Sequence, residues 1–533
     1  MGETERIYNI INQGERENIE FKEYLTESTH LKGPRRENLA CQMKYRLENG
    51  NGTAIYFIGI SDDGDIVGIS EVRFEETLKV IKSISSEIGA IILKVEKIKI
   101  NGKLVGEILL EKRPREMPYE HILVGTAGHV DHGKSTLVGT IITGELDDGA
   151  GKTRNYLDLL PHEIMRGLSA DISFAVFGFK DSVPIKLKNP LNKNEKARLV
   201  ENAQKLISFV DTVGHEPWLR TTIRGIVGQH LDYGLLVVAA NHGVTHVTKE
   251  HLGILLAMDL PVIIALTKID LVNEEKIKEV EDEVVRTLKM VGKIPFKLRN
   301  GSDFYNILKP LSDGHLVPIL RTSALTGEGL EIIEKLFAEL PKRKSVEDMK
   351  KPFLMYIDKI YRVSGVGPVV SGTIRHGTVK KGQEVLIGPD VDGSFVKARV
   401  SSVEMHHCSL ERANAGDIVG LALKGVDAEF YRRGMVVCDE NMDPKPVKSF
   451  KADVVVLNHP TKIGKGYEPV LHIETISEAV IMDPISKEYL ASGESGEVKM
   501  RFKFRPYYIE KGQKLIFREG RSRGIGSVTS ILD

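Results

Sequence analysis

The sequence predicts four domains: a small α/β domain at 1–117, an α/β domain with a parallel sheet at 118–345, and antiparallel β-barrels at 352–440 and 446–533. Three observations carry this. Between 118 and 345, apolar strand-like runs alternate with helical stretches, the pattern of a parallel sheet covered on both faces. After 351 the period changes to short strands separated by glycine turns, in two successive series. Ahead of 118, two helical patterns and several strand patterns suffice for a separate core.

In the first domain, Arg35 to Leu47 fits a helix, with Leu39, Met43 and Leu47 on one face. Thr53 to Ile60 reads as a strand, Ser61 to Asp65 as a turn and Ile66 to Ile69 as a second strand, giving a hairpin. Phe74 to Ile88 is a further helix. Ala90 to Ile100 and Leu104 to Glu111 flank Asn101-Gly102, a strong hairpin signal. Arg113 to Pro118 is the expected linker.

The strands expected in the second domain are His121–Thr126, Lys205–Val210, Gly234–Ala239 and Pro261–Thr267. Functional loops belong at their C-terminal ends. After the first strand comes Gly128-His-Val-Asp-His-Gly-Lys-Ser-Thr136, and after that a helical start at Leu137. Strand, GxxxxGK[ST], helix is the P-loop arrangement. Gly128 and Gly133 let the backbone curl so that the N–H groups of His129, Val130, Asp131, His132 and Gly133 point inward at an anion. The helix N-terminus at Lys134, Ser135 and Thr136 adds partial positive charge. Lys134 can reach β- and γ-phosphates, and the Ser135 hydroxyl suits Mg²⁺.

Further elements extend this site. Asp211 follows a strand and can hold Mg²⁺ through water, while the Gly214 N–H can meet a γ-phosphate. In Thr267-Lys268-Ile-Asp270, the Asp270 carboxylate can accept from guanine N1–H and N2–H₂, a donor pair that adenine lacks. Ser323-Ala324-Leu325 offers a backbone N–H to the guanine O6. Ser169, in a glycine- and charge-rich region from Glu145 to Ala170, stands where a γ-phosphate sensor is needed; its hydroxyl can complete Mg²⁺ coordination. Lys180 to Lys205 is polar and lysine-rich and reads as a solvated excursion. Pro341 to Lys351 is charged and reads as a linker.

Lys+Arg and Asp+Glu are both 74, so any nucleic-acid surface must be local. One candidate lies in the last barrel, where Phe502, Phe504, Tyr507 and Tyr508 interleave with Lys499, Arg501, Lys503 and Arg505. The pattern suits RNA, and equally a strand with an aromatic core face and a solvated basic face. Cys41, Cys408 and Cys438 are too few and too far apart for a disulfide framework. Neither a signal core nor a membrane-length apolar run is present. These features point to the cytoplasm. His242, His246 and His251 have ligand-like spacing, but a structural loop is the better reading.

The phosphate loop, Arg166-Gly-Leu-Ser169, the Asp-x-x-Gly-His of 211–215 and Thr267-Lys-Ile-Asp270 together resemble translational GTPases of the elongation factor Tu type. The barrels agree through Ser364 to Thr373, Val403 to His407, Ala415 to Gly420 and Lys465 to Pro469. Lys249 to Gly253, Gln42 to Leu47 and Ala54 to Ile60 resemble the narrower family of GTP-binding proteins one and two. The resemblance implies GTP and GDP as ligands and Mg²⁺ as cofactor. It implies His215 as the residue that orients the attacking water, and the ribosome and tRNA as partners. His406 corresponds to a residue near the aminoacyl end of tRNA. The chain departs from the family at Ser169 (usually Thr), Val213 (Pro in elongation factors) and Ile418 (Asn in elongation factors). Two alternatives stay open: an RNA-surveillance adaptor that gates RNA-decay factors without carrying aminoacyl-tRNA, and a metabolic GTPase subunit.

Overall fold

The computed structural model describes residues 3–11, 13–50, 52–88, 90–111, 119–157, 172–214, 219–299, 304–343, 346–363, 366–520 and 522–532. Ser169, His215 and the linker expected at Arg113–Pro118 lie outside them. The chain forms two compact units, Met1–Arg115 and Glu116–Asp533.

In the first unit, helix α1 (Glu3–Ile11) precedes β1 (Ile19–Lys22), α2 (Gly33–Asn49), β2 (Thr53–Ile58), α3 (Glu71–Glu87), β3 (Ile91–Ile100) and β4 (Lys103–Glu111). The sheet order is β1-β2-β4-β3, with β1 parallel to β2. Leu39, Met43 and Leu47 of α2 and Phe74, Ile81 and Ile84 of α3 bury Tyr56 and Ile108 on one face. Ile7 of α1 covers Phe21, Phe57 and Val105 on the other. Asn101 and Gly102 both adopt positive φ, 52° and 78°, which joins β3 to β4 by a two-residue turn. The second strand expected at Ile66–Ile69 is reduced to one bridge, Ile60 to Ile66. The N–H groups of Val67 and Gly68 both donate to Gly59 O (3.0 and 2.8 Å), so the chain curls back instead of running alongside β2. The sequence reading passed over β1, whose four residues are too short for a periodicity to register.

The second unit opens with an α/β domain: β5 (Glu120–Ala127), α4 (Lys134–Thr143), β6 (Ser173–Lys180), β7 (Val183–Ile185), α5 (Lys193–Asn202), β8 (Lys205–Asp211), α6 (Leu219–Gly228), β9 (Tyr233–Ala239), α7 (His246–Ala257), β10 (Val262–Thr267), α8 (Glu274–Met290), β11 (Ile294–Lys297), α9 (Phe304–Ser312), β12 (Leu316–Arg321) and α10 (Leu330–Glu339). The order is β11-β12-β10-β9-β5-β8-β6-β7. The four expected strands form the parallel centre. The sheet is mixed, however, because β6 runs antiparallel to β8 and pairs with β7 as a hairpin. Leu137 and Ile141 of α4 join α9 and α10 over one face. Leu252 and Leu255 of α7 and Val280, Val284 and Leu288 of α8 cover the other. Burial on both faces explains why β8, β9 and β10 read as continuous apolar runs.

The lysine-rich excursion at 180–205 holds structure that charge alone concealed. Asn192 caps α5 by accepting from Asn194 N–H (2.9 Å). Leu199 and Val200 on its inner face join a core shared with the first barrel.

Leu354–Tyr356, Val436–Asp439, Glu384–Gly388, Val396–Met405, Ile418–Lys424 and Gly367–His376 form the first barrel, closed by pairing of its first and last strands. Ser449–Asn458, Ser495–Phe502, Ile476–Pro484, Val470–Ile473, Lys514–Glu519 and Ser522–Ile531 close the second. Ile223 and Val227 of α6 pack on Ile516 of the second barrel. No described helix is long and apolar enough to cross a membrane.

Candidate functional site

Strand β5 lies between β8 and β9, so a crevice opens where its C-terminal end meets α4. The loop between them follows the sequence expectation. Gly128 adopts φ 137° and Gly133 φ 82°. A Cβ on Gly128 would lie 2.3 Å from Val237 O, so only glycine fits there. Lys134 is buried, with its Nζ donating to Gly128 O (3.1 Å) and His129 O (3.0 Å) at the loop's mouth.

Three neighbours fasten the loop. Ala239 N–H at the end of β9 donates to His132 Nδ1 (3.2 Å). Thr267 Oγ1 donates to His132 O (2.6 Å), which links the phosphate loop to the Thr267-Lys-Ile-Asp270 segment. Gly128 N–H donates to Nδ1 of the buried His251 on α7 (2.9 Å). His251 is therefore a support of the loop, a role its ligand-like spacing did not suggest.

Both rings are held neutral. Burial, followed by the positive charge of Lys134, lowers His132 and His251 to a pKa of about 3. An unfolded imidazole titrates near about 6.5, so below that pH the unfolded chain takes up protons that the folded site refuses. Stability from these rings is complete above about 6.5 and falls as pH drops toward 3, by up to about 1.4 kcal/mol per pH unit per ring. His251→Asn keeps an acceptor near the Nδ1 position and removes one titration. Its urea midpoint is expected to fall less steeply than wild type between pH 7 and 5; parallel slopes would show that His251 is not a buried neutral ring.

Asp211 ends β8. Its Oδ2 accepts from Ser135 Oγ (2.6 Å), and its Oδ1 accepts from Thr126 Oγ1. A hydroxyl and a carboxylate side by side form a hard-oxygen donor set that suits Mg²⁺. Val130 N–H donates to Gly214 O (3.0 Å), so the segment after β8 is bonded to the phosphate loop. Across the crevice, Ser323 Oγ donates to Asp270 Oδ1 (2.6 Å) and accepts from Thr326 N–H (3.0 Å). Val130, Asp131, Gly133 to Thr136, Gly214, Thr267, Lys268, Asp270, Ala324 and Leu325 thus line one cleft of about 260 Å³. Asp147, Gly149 to Gly151, Arg154 and Leu271 line it too, and the sequence reading did not single them out. The Asp-Asp-Gly-Ala-Gly of 147–151 is the available signal; it falls in the glycine- and charge-rich region from Glu145 to Ala170, in which the sequence points to Ser169 alone.

A second polar assembly joins this domain to the first barrel. His121 Nδ1 donates to Asp417 Oδ1 (2.9 Å), its Nε2 is hydrogen-bonded to Ser208 Oγ (2.8 Å), and Ser208 Oγ is hydrogen-bonded to His406 Nε2 (2.7 Å). Tyr119 OH also donates to Asp417 (3.2 Å). Burial acts to raise Asp417, but the hydrogen bond and charge of His121 outweigh it and hold the carboxyl below its usual range. Desolvation, followed by the charges of His121, Lys196 and His407, pushes His406 well below the ordinary histidine value. In this arrangement His406 is turned to the seam. Ile418 packs on the apolar cluster of the α/β domain. In the second barrel, Phe502 and Tyr507 are core residues, and Arg501, Lys503 and Phe504 are exposed. Lys503 pairs with Glu468 (2.6 Å) and Arg505 with Glu478 (3.9 Å). The stretch thus has an aromatic core face and a solvated basic one, the arrangement of an ordinary barrel strand.

Comparison with known proteins agrees with this construction. The elongation factor Tu GTP-binding domain matches residues 119–360, its domain 2 matches 367–438 and its C-terminal domain 443–532. The chain belongs to the elongation factor Tu family. It is a translation-factor-like GTPase. Human GTP-binding protein 2 is 33% identical over 96% of this chain and 87% of its own length. GTP-binding protein 1 of Xenopus laevis is 33% identical over 93% of this chain and 76% of its own. Elongation factor 1-alpha of Methanothermobacter thermautotrophicus is 32% identical over 74% of this chain and 91% of its own. A bacterial selenocysteine-specific elongation factor has a TM-score of 0.58 at 25% identity, covering 76% of this chain and 58% of that one. SelB of Methanococcus maripaludis bound to the GTP analogue GppNHp shares the fold, with a TM-score of 0.55 at 22% identity, covering 78% of this chain and 80% of that one.

Proposed function

We propose that this GTPase is a cytoplasmic switch that acts on the ribosome with tRNA as ligand. The observation that carries the reading is the chain of hydrogen bonds from Asp417 through His121 and Ser208 to His406. Ser208 stands on β8, three residues before Asp211, so a change at the γ-phosphate can be transmitted to the barrel that β8 supports. The likeness to elongation factor 1-alpha, over 74% of this chain, supports the choice of ligand.

In this reading GTP lies with guanine against Asp270 and Ala324 and its phosphates against residues 129–136. Water attacks the γ-phosphorus in line, the bond to the β–γ bridging oxygen breaks, GDP leaves with that electron pair, and the water's proton passes to the phosphate oxygens. Lys134 and the loop N–H groups stabilise the charge on the phosphoryl oxygens, and His215 orients the water. Ser135 and Asp211, with Ser169, are the residues that would hold Mg²⁺, which when bound supplies positive charge to the β- and γ-phosphates.

A second reading, an adaptor that gates RNA-decay factors without carrying aminoacyl-tRNA, draws on a specific observation. His406 is engaged with Ser208, and glutamates pair with Lys503 and Arg505, which reduces the basic surface open to tRNA. Filter binding of charged and uncharged tRNA, in GTP-analogue and GDP forms, separates the two. The carrier reading expects tight, salt-sensitive binding only of charged tRNA in the GTP form. Replacing Arg501, Lys503 and Arg505 by Glu is expected to weaken RNA binding about tenfold or more with GTP binding unchanged. Equal affinity in all four combinations would remove the carrier reading and favour the adaptor.

A further inference from the structure

The cleft has a wall that neither the phosphate loop nor the base-side segments supply. Asp147, 8% exposed, builds it. Its Oδ2 accepts from the N–H groups of Gly149 (2.9 Å) and Gly151 (3.2 Å), and its Oδ1 from Thr153 N–H (3.0 Å). Its own N–H donates to Ala324 O (2.9 Å), which ties the wall to the segment beside the base. At the other end, Thr153 Oγ1 donates to Thr136 O (3.1 Å), in the first turn of α4. Thr153 also packs so closely on α4 that a Cβ on Gly139 would lie 2.0 Å from Thr153 O. The wall therefore spans from the base-side loop to the turn whose N–H groups face the phosphates.

Among the described residues, the cations lining the cleft are Lys134, Lys268 and Arg154. Lys134 rises from the phosphate loop, and Lys268 flanks Asp270. Arg154 is the wall's cleft-lining cation, one residue beyond the contact with Thr136, while Lys152 pairs with Glu145 (2.9 Å). Its planar set of donors suits phosphate oxygens. We propose that residues 147–154 form a clamp on the nucleotide, in which Asp147 is the positioning residue and Arg154 contacts the phosphate nearest the ribose. This rests on the reading that guanine nucleotide occupies the cleft.

The test uses the full chain and displacement of a fluorescent GDP by GDP, GMP and guanosine. Arg154→Ala is expected to weaken GDP and GMP about tenfold, the size of one charge-assisted hydrogen bond, with guanosine unchanged. Arg154→Lys is expected to recover part of the loss, because the charge returns without the fork. Asp147→Ala, or Asp147→Asn if the alanine variant does not fold, is expected to speed release of fluorescent GDP about tenfold while keeping the preference for guanine. Unchanged GDP and GMP affinity in Arg154→Ala, or an equal loss for guanosine, overturns the clamp. Lys134→Ala is measured alongside. If it binds GDP like wild type, the nucleotide is not in this cleft and the underlying reading fails; if it loses GDP while Arg154→Ala does not, only the clamp fails.

Discussion

Asp270→Asn is expected to exchange the preferred nucleotide from GTP to xanthosine triphosphate. In the wild type the carboxylate presents acceptors only, which match guanine N1–H and N2–H₂. Ser323 Oγ holds Oδ1 at 2.6 Å, so the group is oriented before any base arrives. Xanthine carries a carbonyl at C2 where guanine carries an amino group. An Asn amide pairs its oxygen with N1–H and its NH₂ with that carbonyl, whereas guanine would set two donors against each other. Buried mismatches of this kind are costly, and sites built on them discriminate strongly. The expected swing in the ratio of the two affinities is roughly 10²-fold to 10⁴-fold. Competition binding with both triphosphates, and with ATP as control, measures it. A wild-type protein that binds ATP as tightly as GTP would remove Asp270 from base recognition.

The second large effect is expected from Gly214→Ala. The added Cβ would lie 2.7 Å from both His129 C and Val130 N, and 2.2 Å from Lys134 Nζ. The lysine end can move, but the phosphate-loop backbone cannot give by that much without losing the curl that cradles the phosphates. The Gly214 segment must therefore retreat, breaking the Val130 N–H bond to Gly214 O and, in the proposed pose, withdrawing its own N–H from the γ-phosphate. In the proposed pose the β-phosphate is held by the loop itself, and those contacts remain. GDP affinity is expected to change by only a few-fold, while single-turnover hydrolysis falls about 10²-fold or more, the size seen when one preorganised donor to a developing charge is lost. Hydrolysis at the wild-type rate would mean that Gly214 does not approach the γ-phosphate.

Much of the nucleotide cleft was legible because its parts are local. Residues 128–136 carry their own reason for curling, and each further element sits directly after an apolar strand whose burial on two faces is written in its composition. The barrels were legible for the same reason, as short strands between glycine turns. What escaped were features whose meaning lies in a distant contact. Lys180 to Lys205 was read from its charge, yet α5 presents Leu199 and Val200 to the first barrel. Strand β6 was missed because it lies among polar and glycine-rich neighbours, and its antiparallel pairing with β8 is decided by the sheet. His251 has spacing that suggests a ligand, and only the folded chain brings its Nδ1 to the Gly128 N–H, across 123 residues.

By itself the sequence determined the order of GTPase domain and barrels, the glycine loop between strand and helix, and the family, because each rests on residue types within a few positions of one another. The tertiary structure alone decided which polar groups face each other across domains. Asp417, His121, Ser208 and His406 come from three separate stretches of chain, and no periodicity relates them. Their alignment follows from how β5 and β8 pair and how the first barrel docks against them. The same holds for Asp147 and Arg154, which become part of the cleft only because Thr153 is pressed against α4 and Asp147 is tied to Ala324. A hydrogen bond in a buried seam is short-ranged and directional, so it is specified by packing geometry, which a one-dimensional pattern does not record.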